Sequence, residues 1–293
     1  MLFRSEISGW DVAAVFAKAV TYAATFGAAG AVFFALYCGT LLRDRQQSLI
    51  RRLIVIQVSV AAAAGVLRIL LLAGSMSGEM SGMFDAAFAR MILHAGEGRA
   101  SGARLAGLAL MLFAGSKNPA FRGPAMVGAI AASTSFAWVG HIHGLVPNTA
   151  PSLLMCLHLL CAAFWLGALP PLWIVTIGAN GPQIAAAAAR FGKLASRVVA
   201  LLLAAGASLL FMLIGSAAQF WSSDYGRMMT IKLLAAAALL GLAARNKLVL
   251  TPRLLQGDAR AALEFRRSVL AEIAVGALIL LITAAFTTLT GPP

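Results

Sequence analysis

Long apolar runs, separated by short basic segments, recur from one end of the chain to the other. That pattern leaves few folds open. A spanning helix needs about 20 mostly apolar residues, and seven runs supply them: Ala13–Leu42, Leu49–Ala73, Gly123–Gly140, Ser152–Ile177, Leu194–Phe220, Met228–Ala244 and Val269–Leu289. In hydrocarbon every backbone N–H and C=O must be satisfied within the segment, which makes each run a helix. An eighth run, near Ala95–Gly115, is interrupted by Glu97, Arg99 and Arg104. The composition agrees: 61% hydrophobic, 11% charged and a mean hydropathy of +0.89 belong to a membrane chain.

Charge decides the eighth run. With eight spans and both termini outside, the inner loops hold Arg43, Arg45, Arg51 and Arg52, then Lys117 and Arg122, then Arg190, Lys193 and Arg197. The last inner loop adds Arg245, Lys247, Arg253, Arg260, Arg266 and Arg267, while the outer loop Ile142–Pro151 has no basic residue. Dropping the third span would move the last two basic loops outside, against the positive-inside rule. The expected fold class is therefore all-α: a polytopic bundle of eight transmembrane helices in a bacterial inner membrane. It divides into four-span halves at 1–150 and 151–293, with an outer amphipathic connection over 75–94. Trp10, Trp138, Trp221 and Tyr225 fall at outer ends, where an interfacial aromatic belt belongs.

The net charge of +13 sits in those loops, where topology accounts for it, so nucleic acid is excluded as a partner and the lipid bilayer is the expected one. Cys38, Cys156 and Cys161 lie inside apolar runs and make no disulfide framework. Met1–Trp10 lacks the basic start of a cleavable signal, so the first helix is expected to stay attached. There is no phosphate-binding glycine loop, no H-E-x-x-H and no nucleophile elbow, so no enzyme is expected.

The polar residues left over point outward. All four histidines, His94, His141, His143 and His158, fall on the outer side of this topology, as do Met76, Met80, Met83, Met91, Met155, Met228 and Met229. On the fifth span Met155, His158, Ala162 and Trp165 share one helical face, with Cys161 at its margin. His158 lies on the order of 9 Å below the interface. An imidazole there needs a ligand or a hydrogen-bond partner, and both readings stand. Thioether and thiolate suit Cu(I), and imidazole takes copper in either state. The fourth span ends in G-H-I-H-G, Gly140–Gly144, where a frayed, extended end would put His141 and His143 on one side. A ligand-free helix end explains them equally. The ten-residue link to the fifth span brings His141 and His143 within reach of His158. His94 with Glu97 is a weaker two-ligand signal, and the methionine steps over 76–91 fit a membrane-lying helix as well as a copper-collecting surface. The candidate metal ligands are thus His94, His141, His143, His158 and Met155. Lys18, Arg68, Arg104 and Lys232 also sit in outer parts of spans, where they snorkel, pair with Asp11, Asp85 or Glu97, or hold an anion.

Four motifs carry a resemblance: L-H-L-L-C-A-A-F-W-L-G-A-L-P-P-L at Leu157–Leu172, R-F-G-K-L-A-S at Arg190–Ser196, Y-G-R-x-x-x-x-K from Tyr225 to Lys232, and A-R-N-K-L-x-L-T-P-R-L at Ala244–Leu254. In order and spacing they resemble the CopD copper-resistance membrane family over about Leu157–Leu289. The chain departs from that pattern at Gly167-Ala168, where relatives often pair glycines, and at Ser223-Asp224, where they often have T-P. The resemblance implies an inner-membrane protein of eight spans that moves copper from periplasm to cytoplasm, with a separate periplasmic carrier of the CopC type as partner. Two other readings remain at this level: a b-type haem protein transferring electrons, with paired histidines as axial ligands, and a non-transporting scaffold or assembly factor whose histidines only bond between helices.

Overall fold

The computed structural model describes residues 8–116, 118–139, 149–213 and 223–289. Among these residues the chain is helical throughout and has no strand. The helices are α1 (Gly9–Cys38), α2 (Asp44–Ser77), α3 (Ala86–His94), α4 (Gly96–Met111), α5 (Arg122–Thr134), α6 (Thr149–Val175), α7 (Gly181–Leu213), α8 (Asp224–Arg245), α9 (Thr251–Leu255) and α10 (Ala259–Leu289). Each predicted apolar run contains one of the longer helices. Six are long and apolar enough to cross a membrane: α1, α2, α6, α7, α8 with its continuation to Leu255, and α10.

The remaining two, α4 and α5, both end in 3-10 turns, and α5 stops short of the apolar run that predicts it. α4 has 16 residues and continues as a 3-10 turn over Leu112–Gly115; α5 has 13 and tightens into a 3-10 turn over Ser135–Trp138. The pair Thr134-Ser135 explains the second change. The Thr134 hydroxyl donates to the Ile130 carbonyl at 2.9 Å and the Ser135 hydroxyl to Ala132 at 2.7 Å, and such back-bonding competes with the helical ladder. α4 and α5 pack at a crossing of small residues. A Cβ on Gly107 would come within 2.7 Å of the Gly128 carbonyl oxygen, so neither glycine has room for a side chain.

α1 is the core helix. Its middle, Phe26–Val32, is buried on all sides, and α2, α5, α6 and α10 pack around it. A Cβ on Gly30 would overlap the backbone of Gly167 in α6, so the two helices meet backbone to backbone there. Gly167 is the glycine of the W-x-G motif. The outer helices are different: in α7 and α8 only 17% of the most apolar window is buried. Leu201, Leu203, Phe211, Leu233 and Leu234 stand exposed on them. Apolar surface of that extent demands a lipid neighbour.

Three of the four basic segments predicted to be inner loops gather at one end. Arg43 donates to the Gly178 carbonyl, Gln46 to the Val175 carbonyl, Arg190 to Thr40, and Lys247 to Ser196. Arg253 holds both Asp258 and Glu264, and Arg245 also bonds Glu264. We call this the basic end and its opposite the far end.

The connection over 75–94 is not one helix. Gly78, at φ 78°, stops α2 in the left-handed conformation. A 3-10 turn over Met80–Phe84 follows, and Asp85 then caps α3 by accepting from the Ala87 N–H. The methionine stripe is broken accordingly: Met83 lies with Trp10 over Gly74, while Met76, Met80 and Met91 are exposed. Tyr225 is buried against Phe286 instead of joining an aromatic belt, whereas Trp138 is half exposed. Trp221 lies outside the described residues.

Candidate functional site

His158 sits on α6 in the half of the bundle toward the far end, facing α7. Its Nδ1 lies 3.3 Å from the Leu202 carbonyl oxygen. A carbonyl only accepts, so Nδ1 carries the proton and Nε2 keeps its lone pair. Gly206, one turn beyond Leu202, makes room for the ring: a Cβ there would stand 3.1 Å from Cε1 and 3.2 Å from Nδ1. A backbone acceptor that fixes the tautomer while leaving the other nitrogen free is the arrangement in which a histidine serves as metal ligand. The hydrogen bond and the ligand role are therefore compatible, although the sequence poses them as alternatives.

The rest of the face is mixed. Met155, one turn toward the far end, is half-buried, whereas Cys161 and Trp165 are buried in the core. His94 ends α3 and is exposed. Its proposed companion Glu97 faces elsewhere, ion-paired with Arg68 at 3.0 Å. His141 and His143 lie outside the described residues, so their distance to His158 is not defined. Among the described residues no three His, Cys, Asp or Glu side chains gather as a metal set. Met111 and Cys38, the scattered soft groups nearer the basic end, are fully buried in the core, and Met126 is exposed.

Of the cations embedded in the far half, Lys18, Arg68 and Arg104 have a partner. Arg104, only 2% exposed, donates to Ser135 Oγ at 3.1 Å and stacks 3.9 Å over the Phe136 ring. Phe136 in turn packs edge-on against Tyr22 and Phe26. Lys18 donates to the Thr287 carbonyl at 3.1 Å, tying α1 to the end of α10. Lys232 lies close enough for its charge to act on His158. Of the acids proposed as partners, Glu97 takes Arg68, Asp11 accepts from the Ser8 N–H in the capping box of α1, and Asp85 caps α3.

Reading the sequence for soft ligands passes over one group. Glu272, only 3% exposed, lies on α10 three residues into the last apolar run and accepts a hydrogen bond from the Asn246 amide. Asn246 begins a π turn, Asn246–Leu250, between α8 and α9. An ionisable residue inside a span is itself the signal that finds it.

Comparison with known proteins decides the family. The family model for copper resistance protein D matches residues 185–286, and the model for its N-terminal domain matches residues 9–144. The chain belongs to the copper resistance protein D family. The match reaches the first half, where sequence motifs show no likeness, and its two segments flank α6. The His158 motif at Leu157–Leu172 thus lies between them, while Arg190–Ser196, Tyr225–Lys232 and Ala244–Leu254 lie within the second. No curated protein and no solved structure matches the chain. As a member of this family with six long apolar helices, it is a multi-pass membrane protein of copper resistance.

Proposed function

We propose that the protein binds copper at its far end and carries it across the inner membrane toward the cytoplasm, as a carrier and not an enzyme. The observation that carries this reading is the pair of family matches, which together span both halves of the chain. In the reading all eight helices cross the bilayer and both termini are periplasmic. The gathering of three of the four basic loops at one end supports that orientation, because Lys and Arg accumulate on the cytoplasmic side. With their 3-10 extensions α4 and α5 reach roughly 32 Å and 27 Å at 1.5 and 2.0 Å per residue, near the thickness of the hydrocarbon core.

Copper is the cargo, and His158 is its central ligand through Nε2. Met155 supplies a thioether from the same face, and His141 and His143 approach from the end of the fourth span. His94, exposed on the connecting segment, collects the ion earlier. A periplasmic carrier of the CopC type would deliver it. Lys232 opposes a resident cation, which suits brief occupancy better than storage.

Copper-loaded uptake into proteoliposomes tests the reading: the wild-type chain accumulates copper, and His158→Ala with Met155→Ala lowers the rate at least tenfold. Equal rates in both would remove the site from α6, and no uptake by folded wild-type protein would remove the transport reading. A Soret band in the purified chain would replace copper with haem.

A further inference from the structure

Nearer the basic end, the bundle encloses an acid that no cation among the described residues neutralises. Glu272 is buried between α10 and the π turn, and its partner among the described residues is the Asn246 side chain, whose Nδ2 donates to Oε1. The Asn246 Oδ1, buried, has no donor, and neither has Ser268 Oγ, one turn before Glu272 on the same face of α10. Lys232 lies in the Tyr225 half of α8, and several charged groups on the surrounding elements are committed elsewhere. Arg245 and Arg253 hold Glu264 and Asp258, Lys247 bonds Ser196, Arg266 lies over Trp173, and Arg190 lies over Tyr37. Lys193, Arg197 and Arg267 are exposed. On α1, Lys18 bonds Thr287, fifteen residues along α10 from Glu272; α6 offers only His158, Cys156 and Cys161.

A bare carboxylate in such a place is very costly, whereas a protonated one completes the hydrogen bonding. The O–H of a neutral Glu272 donates to Asn246 Oδ1 while Asn246 Nδ2 donates to the carboxyl C=O, a reciprocal acid–amide pair that satisfies the orphaned oxygen. A polar groove lies on the other side of the π turn. A groove lined by Lys193, Lys247 and Thr251 opens between α7 and the π turn, and the Thr251 hydroxyl donates to the Asn246 carbonyl from the groove's wall. π turns of this kind recur where a helix must change shape to work.

We propose that Glu272 and Asn246 form a proton-binding site inside the membrane-spanning bundle. In the arrangement described, the proton resides on the Glu272 carboxyl. Its release leaves a carboxylate, ends the reciprocal pair and frees the π turn to rearrange. The site stands independently of copper; coupling this proton to copper movement rests on the transport reading above.

Infrared difference spectroscopy of the full chain in lipid nanodiscs, between about pH 5 and 9, tests the site. The expected result is a carboxylic-acid C=O band that disappears as pH rises, shifts in D2O and is missing in Glu272→Gln. In Asn246→Ala, which keeps the carboxyl and removes its partner, the band moves in frequency. Absence of any band that Glu272→Gln removes, or an Asn246→Ala spectrum like wild type, overturns the proposal. Loss of the band on adding sodium at fixed pH overturns it in favour of a metal-cation site. In proteoliposomes, Glu272→Gln abolishes the acceleration of copper uptake by a pH gradient. Wild-type uptake indifferent to the gradient overturns the coupling alone, and absent uptake overturns the transport reading while the infrared result stands.

Discussion

The far half of the bundle holds its ionisable groups in a different way from the basic half. Arg68 has a carboxylate at 3.0 Å, Arg104 an aromatic face and a hydroxyl, and Lys18 a backbone carbonyl. Each of these partners favours the charged form, so the cluster is static: Lys18, Arg68 and Arg104 with Glu97 knit α1, α2, α4 and α10 together. Glu272 has instead a neutral amide with an acceptor to spare. The contrast teaches that intramembrane charge alone does not mark a working site. A group whose partners suit both protonation states is the one poised to change, whereas a saturated ion cluster serves packing.

The comparison can be broken by substitution, and the largest effect belongs to the static cluster. Glu97→Ala leaves Arg68 unpaired beside two further cations and should cost about 3 kcal/mol, read as a lower unfolding midpoint in detergent. An unchanged midpoint would mean that the pair is solvated and the cluster is not structural. Next comes Glu272→Ala, which strands the Asn246 side chain and should cost about 1–3 kcal/mol, whereas Glu272→Gln keeps a reciprocal pair and should stay within about 1 kcal/mol of wild type. Equal losses for the two variants would erase the distinction between the halves. Gly206→Ala presses on the His158 ring and should cost about 1 kcal/mol while reducing copper uptake more than a lipid-facing Leu203→Ala.

The smallest effect lies outside the membrane. Arg253, by hydrogen bonding to Asp258, holds that carboxyl below the usual carboxylate range. A depressed value in the folded state gives stability that is fully present above the ordinary value, near about 4, and is lost as pH falls through the depressed one. Asp258→Asn should flatten that acid-side loss slightly and leave neutral-pH behaviour alone, measured by unfolding at a series of acidic pH values.

Much of the architecture is legible in the sequence because hydropathy and loop charge are local properties. Every apolar run holds a helix among the described residues, and three of the four basic loops converged. The end of α5 was not legible: the hydroxyls of Thr134 and Ser135 shorten α5 by a competition that a hydropathy window does not register. Nor was the break at Gly78, where one left-handed residue divides a methionine stripe that periodicity reads as continuous. Of the candidate site, His158 and Met155 stand where helical spacing puts them. Its Leu202 partner depends on which helix packs beside α6, and no pattern within α6 specifies that. Glu97 was drawn to Arg68 rather than His94 for the same reason. Glu272 was visible as an acid in an apolar run, but a search for soft copper ligands has no reason to stop at a carboxyl.

The most direct test of the central claim is the copper content of the purified, detergent-solubilised chain after copper loading and desalting, wild type beside His158→Ala. The account predicts bound copper in the wild type, a loss of most of it in His158→Ala, and no Soret band in either. Equal copper in both proteins would contradict it, because the free Nε2 of His158 would then hold nothing.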